Sequence, residues 1–401
     1  MHPDFHHFDD NNVDMAKYTD DIAEVGDALA ALMPDLRRLE CGGADSNPIA
    51  RSLYGRLASN YAGQLEWLDS GHAIAVPPDC HFTRLKKAVV SYGDVADYQL
   101  PRMVTGELTA MSLLAAPSNH SWAPFSTSSG SQVIEFPRLR QLFVGYRTTY
   151  LANGIAVRHR DGHPWRLHFP RLESLRIHNS QQACPLLEYA TLPAHMESIY
   201  ISMESAAYLN IASVVLPAAK RIDLHITPES HGDTSGLPAI NRILESARGA
   251  ESLELAVEDN TLRVGPGSIT CTALTQLAIS APTSVDTMLS LIEGLPNLVK
   301  LTVLCLDLSG IQADVSVPGA DADASVEPLS MSLESLLIYH DSRGHSPDAA
   351  VAVLTHMLLR IPTLSEVYSP QTPEGPVKGF VESYVPRYPH LSGVELTLCR
   401  S

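Results

Sequence analysis

The chain has 401 residues, 45% of them hydrophobic, and carries 28 Lys and Arg against 45 Asp and Glu, a formal net charge of −17. This length suffices for one large or two ordinary domains with a substantial buried core. An acidic surface repels phosphate backbones, which argues against nucleic acid as a partner. Pro, Ser or a charge interrupts every apolar run before the roughly 18 residues of a membrane helix, so no membrane partner is predicted.

The N-terminus and the cysteines indicate a compartment. MHPDFHHFDDNN contains acids and histidines where a secretory signal needs a basic start and an apolar run. The six cysteines are scattered and never form C-x-x-C, which is typical of reduced thiols. We therefore predict a cytoplasmic or nuclear protein that is a monomer by itself. The terminal His/Asp tract lacks the fixed spacing of a metal site, and neither metal nor cofactor is predicted.

The first predicted element is a short helix within residues 14–33 that could cover the start of the following domain. We interpret residues 1–35 as a disordered tail with this capping helix, and residues 36–401 as one repetitive domain. Loop insertions are expected near 116–132, which is rich in serine, and near 309–328, which is acidic and rich in small residues.

One apolar phrase recurs along the chain. FPRLRQLFV at 136–144 and FPRLESLRI at 169–177 are two copies of it, 33 positions apart (169 − 136). Its form is an apolar residue, Pro, any residue and Leu, followed by apolar residues three and five positions after that Leu. Weaker copies start at Leu36, Leu65 and Leu85. The Leu position of the main copies is occupied by Leu139, Leu172, Met196, Ala219, Ala250, Leu274, Leu298, Leu333, Leu364 and Leu391.

Each phrase predicts a short strand, and helices are predicted between several strands. The alternate apolar positions point two side chains inward and leave the intervening residue outward. Residues 47–60, 238–249, 284–294 and 346–360 begin with a capping residue or Pro and then read as helices. Because one unit cannot bury its apolar face alone, a stack of such units should form a continuous core beneath a parallel sheet.

Two other folds share part of this pattern. An eight-unit β/α barrel also alternates strands and helices, but ten phrases and three weaker copies exceed its number of units. A β-helix would have little use for capped helices of this length. The repeat period therefore favours a solenoid over both.

The L-x-x-L-x-L part of the phrase resembles the leucine-rich repeat family over roughly residues 36–399, specifically the ribonuclease-inhibitor-like and irregular fungal F-box-associated type. The resemblance implies an α/β leucine-rich repeat solenoid, with a curved parallel β-sheet on the concave side and helices and loops on the convex side. The Asn or Cys that the family places three residues after the last Leu is mostly absent, so we expect an uneven solenoid.

The resemblance also implies a function. Such proteins are non-enzymatic scaffolds that bind a protein partner on the concave face, often as substrate receptors of ubiquitin ligases. The F-box itself is not recognisable in residues 1–40, so the ligase role is the weaker part of this expectation.

The predicted binding surface consists of outward side chains on the strands. Aromatic and arginine side chains on rigid strands supply the anchors that dominate protein interfaces, although exposed strand positions favour aromatics for local reasons as well. The predicted partner-binding residues are Phe143, Arg176, His178, Tyr200, Asp223, His225, Glu254, Tyr339 and Tyr368.

The alternative hypothesis is a hydrolase with a site assembled from His225, His231 and Asp233, which lie close together in the sequence beside several serines. No G-x-S-x-G motif is present to expose a serine nucleophile. We therefore assign no catalytic residue and predict a protein that is not an enzyme.

Overall fold

A computed structural model shows that the chain divides into two compact units, Met1–Pro193 and Ala194–Ser401. The predicted tail, most of both predicted loop insertions and the predicted helix at 238–249 lie outside the residues that the structure describes. Those described residues are 17–40, 48–70, 80–92, 106–115, 126–127, 133–146, 163–164, 166–178, 190–203, 217–226, 249–257, 269, 271–309, 327–340 and 347–399.

The first unit contains a parallel sheet whose strand order follows the chain, β1-β2-β3-β4-β7-β10. Two smaller sheets accompany it, one of order β11-β9-β6 and one formed by β5 and β8. The strands are β1 (Arg38–Glu40), β2 (Trp67–Ser70), β3 (Lys87–Tyr92), β4 (Ala110–Ala115), β5 (Ser126–Thr127), β6 (Val133–Glu135), β7 (Gln141–Tyr146), β8 (His163–Pro164), β9 (Arg166–His168), β10 (Ser174–His178) and β11 (Ala190–Thr191).

The second unit also contains a parallel sheet in chain order, β12-β13-β14-β15-β17-β18-β19-β20, and β16 pairs with β17 beside this path. Its strands are β12 (His195–Met203), β13 (Ala218–Ile226), β14 (Ser252–Val257), β15 (Gln276–Ile279), β16 (Thr283–Ser284), β17 (Lys300–Asp307), β18 (Ser335–His340), β19 (Glu366–Pro373) and β20 (Glu395–Cys399).

Three helices match predicted helices closely, and a fourth lies within the longer segment predicted to contain one. Helix α1 (Thr19–Leu32) lies within the predicted capping segment, and α2 (Pro48–Asn60), α3 (Val285–Gly294) and α4 (Pro347–Arg360) match the predicted helices. A fifth helix, α5 (Glu374–Tyr384), was not predicted. The chain is therefore an α/β protein in which parallel strands outnumber helices among the described residues.

The alternate apolar positions of the phrase form the core. On β14, for example, Leu253 and Leu255 are buried while Glu254 between them is half-buried on the other face. Leu301 and Val303 of β17 are likewise 0% exposed. The predicted direction of the strand side chains is thus confirmed on these strands.

The apolar-Pro-x-Leu part of the phrase is a tight turn. The Leu139 amide donates to the Phe136 carbonyl at 3.4 Å, and the Leu172 amide donates to the Phe169 carbonyl at 3.5 Å. Pro at the second position of such a turn presets the required φ. Phe136 and Phe169 stack with ring centroids 5.0 Å apart, so the turns of two consecutive copies of the phrase pack against each other.

One core position of the repeat is polar. Ser369 takes the place of the apolar residue five positions after Leu364, yet it is only 2% exposed. Its hydroxyl lies 2.8 Å from the Thr372 hydroxyl, which in turn lies 3.4 Å from Nε2 of His340. Buried polar groups need hydrogen-bond partners, and these three side chains provide partners for one another inside the sheet core.

Helix α1 packs closely on α2. A Cβ atom at Gly26 would lie 2.7 Å from Cγ of Arg56, so glycine permits this approach. Arg56 donates from Nε and Nη2 to Asp27, at 3.0 to 3.2 Å. The hydrogen bonds from Arg56, followed by one from the Asn60 amide, hold the pKa of Asp27 below its ordinary value.

Three features of the structure were not predicted from the sequence. Strand β4 follows a copy of the phrase with its Leu position at Leu108, where Thr-Gly replaces the usual apolar-Pro pair. Strands β6, β9 and β11 form a second parallel sheet in the first unit, where only helices and loops were expected. In the last phrase, Val367 pairs with Leu396, so the prediction that Val394 and Leu396 occupy the two strand positions is wrong. The 3-10 helix Pro389–Gly393 delays the strand by two residues, which leaves the side-chain directions unchanged.

No helix among the described residues is long and apolar enough to cross a membrane.

Candidate functional site

The outward face of the second unit consists of aligned rows of side chains. Parallel strands in register place equivalent residues side by side, about 4.8 Å apart. The middle row runs, in strand order, through Tyr200, Asp223, Glu254, Ala278, Thr302, Leu337, Tyr368 and Thr397. The row two residues earlier runs through Ser198, Arg221, Ser252, Gln276, Lys300, Ser335, Glu366 and Glu395.

A polar cluster occupies the start of this face, on β13 and β14. Nε of Arg221 donates to both carboxylate oxygens of Asp223, at 2.9 and 3.0 Å. This bifurcated contact raises the pKa of Arg221 and covers Asp223, whose side chain is 14% exposed. Glu254 lies farther away, 3.8 Å from Nη2 of Arg221 and 3.6 Å from Nε2 of His225. The Glu254 carboxylate therefore retains exposed acceptor positions.

Tyr200 completes the cluster from β12. Its ring centroid lies 5.2 Å from that of His225, and the planes are inclined by 36°. Tyr200 and Asp223 are Cα partners in adjacent strands. Four predicted residues, Tyr200, Asp223, His225 and Glu254, are therefore brought together, and Arg221 is a fifth member that the sequence analysis missed.

An aromatic–aliphatic patch, formed by Leu304, Leu337, Tyr339 and Tyr368, occupies the outward face of β17, β18 and β19. Leu304 is 47% exposed and Tyr368 is 37% exposed, while Leu337 and Tyr339 are half-buried. Large apolar side chains that are this exposed and contiguous often mark interaction sites.

A β-bulge lies beside Leu304 in the patch. Val303 pairs with Ile338 and Leu306 pairs with His340, so Leu304 and Cys305 together face Tyr339. Bulges re-aim side chains and are frequent beside functional sites. Leu304 occupies the same position of the repeat as His178, His225 and Tyr339, six residues after the Leu of its phrase, so the alternation places it on the outward face, although it was not among the predicted residues.

Tyr339 and Tyr368 form a pair within the patch. Their ring centroids lie 5.8 Å apart, inclined by 53°. A side-chain hydrogen bond with Tyr368 raises the pKa of Tyr339 above its ordinary value. The two predicted residues therefore lie together as one aromatic pair on the surface.

The other three predicted residues belong to the first unit. Phe143 and Arg176 are Cα partners on β7 and β10. The Phe143 ring folds over Gly145, since a Cβ atom there would lie 2.6 Å from it and 3.4 Å from Cβ of His178. Phe143, Arg176 and His178 are thus neighbours on that unit's sheet.

The same unit carries a cation–aromatic stack that the sequence analysis did not single out. Cζ of Arg38 lies 3.4 Å from the centre of the Trp67 ring, and Nζ of Lys87 lies 5.6 Å from it. All three occupy the same row on β1, β2 and β3. Such stacking stabilises cations on a ring face.

The hydrolase hypothesis gains no assembled site. His225 faces Glu254 and Tyr200, whereas His231 and Asp233 lie outside the described residues. Among the residues that the structure describes, no group of three or more His, Cys, Asp or Glu could hold a metal ion.

A scan of the chain against protein-family models finds no matching family. A search of curated proteins finds no significantly similar sequence. The function is therefore inferred from the geometry of the sheet faces.

Proposed function

We propose that the chain is a leucine-rich-repeat-type scaffold that binds another protein through the outward face of its second unit. The repeat assignment is supported by the recurring turn, inward Leu position and parallel strand, at anchor spacings of 23 to 35 residues. Repeats of this kind stack into an array with an extended binding surface.

The aromatic–aliphatic patch carries the binding proposal. Tyrosine is enriched among the residues that contribute most to interface affinity, and rigid strands reduce the entropy lost on binding. The polar cluster around Arg221 and Glu254 would set the register of the partner, because charged neighbours select orientation more than they add affinity.

Affinity purification from cells that naturally contain the chain tests this proposal. The patch variant carries Leu304→Ser and Tyr368→Ser, and the control variant carries Tyr384→Ser, a half-buried aromatic on α5. All three proteins are first shown to unfold at similar temperatures. We expect the wild type and the control to retain the same proteins and the patch variant to lose them. Identical sets from all three would contradict the proposal.

The ligase role remains the part of the proposal that rests on the family resemblance alone. Recovery of a ubiquitin-ligase adaptor with the intact chain, but not with a chain lacking residues 1–35, would support it. No adaptor in either sample would remove it.

A further inference from the structure

Two carboxylates face each other at the end of the second unit's outward face. Glu366 on β19 and Glu395 on β20 are Cα partners, and both side chains are exposed. Like charges directly opposite each other destabilise a sheet pair. This acidic pair, Glu366 and Glu395, is therefore an arrangement that folding alone does not favour.

No basic side chain of the described residues neutralises the acidic pair. The preceding members of the same row are Ser335 and then Lys300. Lys300 lies two strand spacings from Glu366, roughly 9.6 Å between backbones, and no ion pair among the described residues joins the two side chains.

Protection of the sheet edge accounts for the charge of Glu395 but not for that of Glu366. Charges on an edge strand discourage pairing with another chain, and Glu395 lies on β20, the last strand in the sheet order. Glu366 lies on β19, which is paired with β18 and β20 on its two sides. A second cause is therefore needed for Glu366.

The acidic pair adjoins the aromatic–aliphatic patch. Glu366 and Tyr368 are two residues apart on β19 and share its outward face, and Tyr368 is the Cα partner of Leu337. A cation held by the two carboxylates can therefore lie over an exposed tyrosine ring. The apolar stem of a long basic side chain can cover the leucine, as such stems commonly do.

We infer that this end of the face receives a basic side chain of the partner protein, arginine foremost, next to an apolar side chain that packs on Leu304 and Leu337. Arginine fits best because its planar group can contact carboxylates and stack on an aromatic ring together. The inference rests on the proposed function and specifies the chemistry of its partner.

Selection from a library of random 12-residue displayed peptides, with the intact chain as the target, tests the inference. Peptides are counter-selected on the Leu304→Ser, Tyr368→Ser variant, so that those retained depend on the patch. We expect them to be enriched in Arg or Lys beside an aromatic or aliphatic residue. Glu366→Gln and Glu395→Gln should each weaken binding of a retained peptide about two- to five-fold, the range of exposed charge pairs.

Matched controls isolate the acidic pair. Glu382→Gln on α5 removes an exposed carboxylate elsewhere in the unit and should leave affinity unchanged. The loss caused by Glu366→Gln should shrink at high salt, because exposed charges are screened.

The outcomes separate the two proposals. Patch-dependent peptides without basic residues, or with affinity unaffected by both Glu→Gln changes, would overturn the inference and leave the proposed function standing. A selection that yields no patch-dependent peptide would contradict both.

Discussion

Tyr339 and Tyr368 lie on neighbouring strands with ring centroids 5.8 Å apart and ring planes inclined by 53°. The neighbouring Tyr368 side chain raises the pKa of Tyr339, since hydrogen bonding to its hydroxyl favours the protonated phenol. The pKa of Tyr339 therefore reports on the packing of these two side chains and can be measured on the intact protein.

Tyr368→Phe should lower the pKa of Tyr339 towards the ordinary tyrosine value, because the hydroxyl partner is lost while the ring remains. NMR titration of ring-labelled tyrosine on the alkaline side measures the change. Tyr200→Phe, at the far end of the same row, serves as the control and should leave the Tyr339 titration where it is. An unchanged Tyr339 titration in the Tyr368 variant would mean that the hydroxyls do not interact.

Leu301→Ala should reduce the free energy of unfolding by about 2–5 kcal/mol, because the side chain is fully buried and its removal opens a cavity between strands. Thr302→Ala, at the next position on the outward face, should change it by less than about 0.5 kcal/mol. Urea unfolding followed by circular dichroism compares the two variants. Equal losses would show that the inward and outward positions of β17 are misassigned.

Gly26→Ala should destabilise the first unit by roughly 0.5–2 kcal/mol, as the clash with the Arg56 stem exceeds the gain in helix propensity. Asp27 holds Arg56 in place, so its stem cannot withdraw freely. Gly379→Ala in α5 is the matched control, because no atom lies within 4 Å of its added Cβ. Thermal unfolding should show the control equal to or more stable than the wild type. A stabilised Gly26 variant would refute the close packing of α1 on α2.

Ser369→Ala should cost about 1 kcal/mol, since it removes a buried hydrogen bond to Thr372. The Thr372→Val change and the double variant complete a cycle. Because the two hydroxyls serve each other, the double variant should lose less than the sum of the single losses. Strictly additive losses in chemical unfolding would show that the Ser369 and Thr372 hydroxyls are not coupled.

The sequence predicts the parts of the fold that depend on local chemistry. The turn before Leu139, the buried alternation of Leu253 and Leu255, and the cap of α3 follow from neighbouring residues alone; Ser284 indeed accepts a hydrogen bond from the Thr287 amide at 3.2 Å. The strand after Leu108 was missed because the apolar-Pro pair that opens the phrase is absent there.

Features that depend on pairing between distant segments were beyond local reasoning. The bulge of β17, where Leu304 and Cys305 together face Tyr339, is one such feature. Arg221 joins the polar cluster through its contact with Asp223 two positions later, a spacing that the sequence shows but that many exposed strands share. The acidic pair likewise requires the register of β19 against β20, which the 3-10 helix before β20 displaces by two residues.

Oxidative footprinting of the intact chain, alone and with its bound proteins after purification from native cells, tests the binding face most directly. The side chains of Leu304, Tyr339 and Tyr368 should be modified less in the complex, because a partner on the outward face covers them. Phe380 and Tyr384 on α5 should be modified equally in both samples. Unchanged modification of Leu304, Tyr339 and Tyr368, with protection elsewhere in the chain, would contradict the assignment of the binding surface.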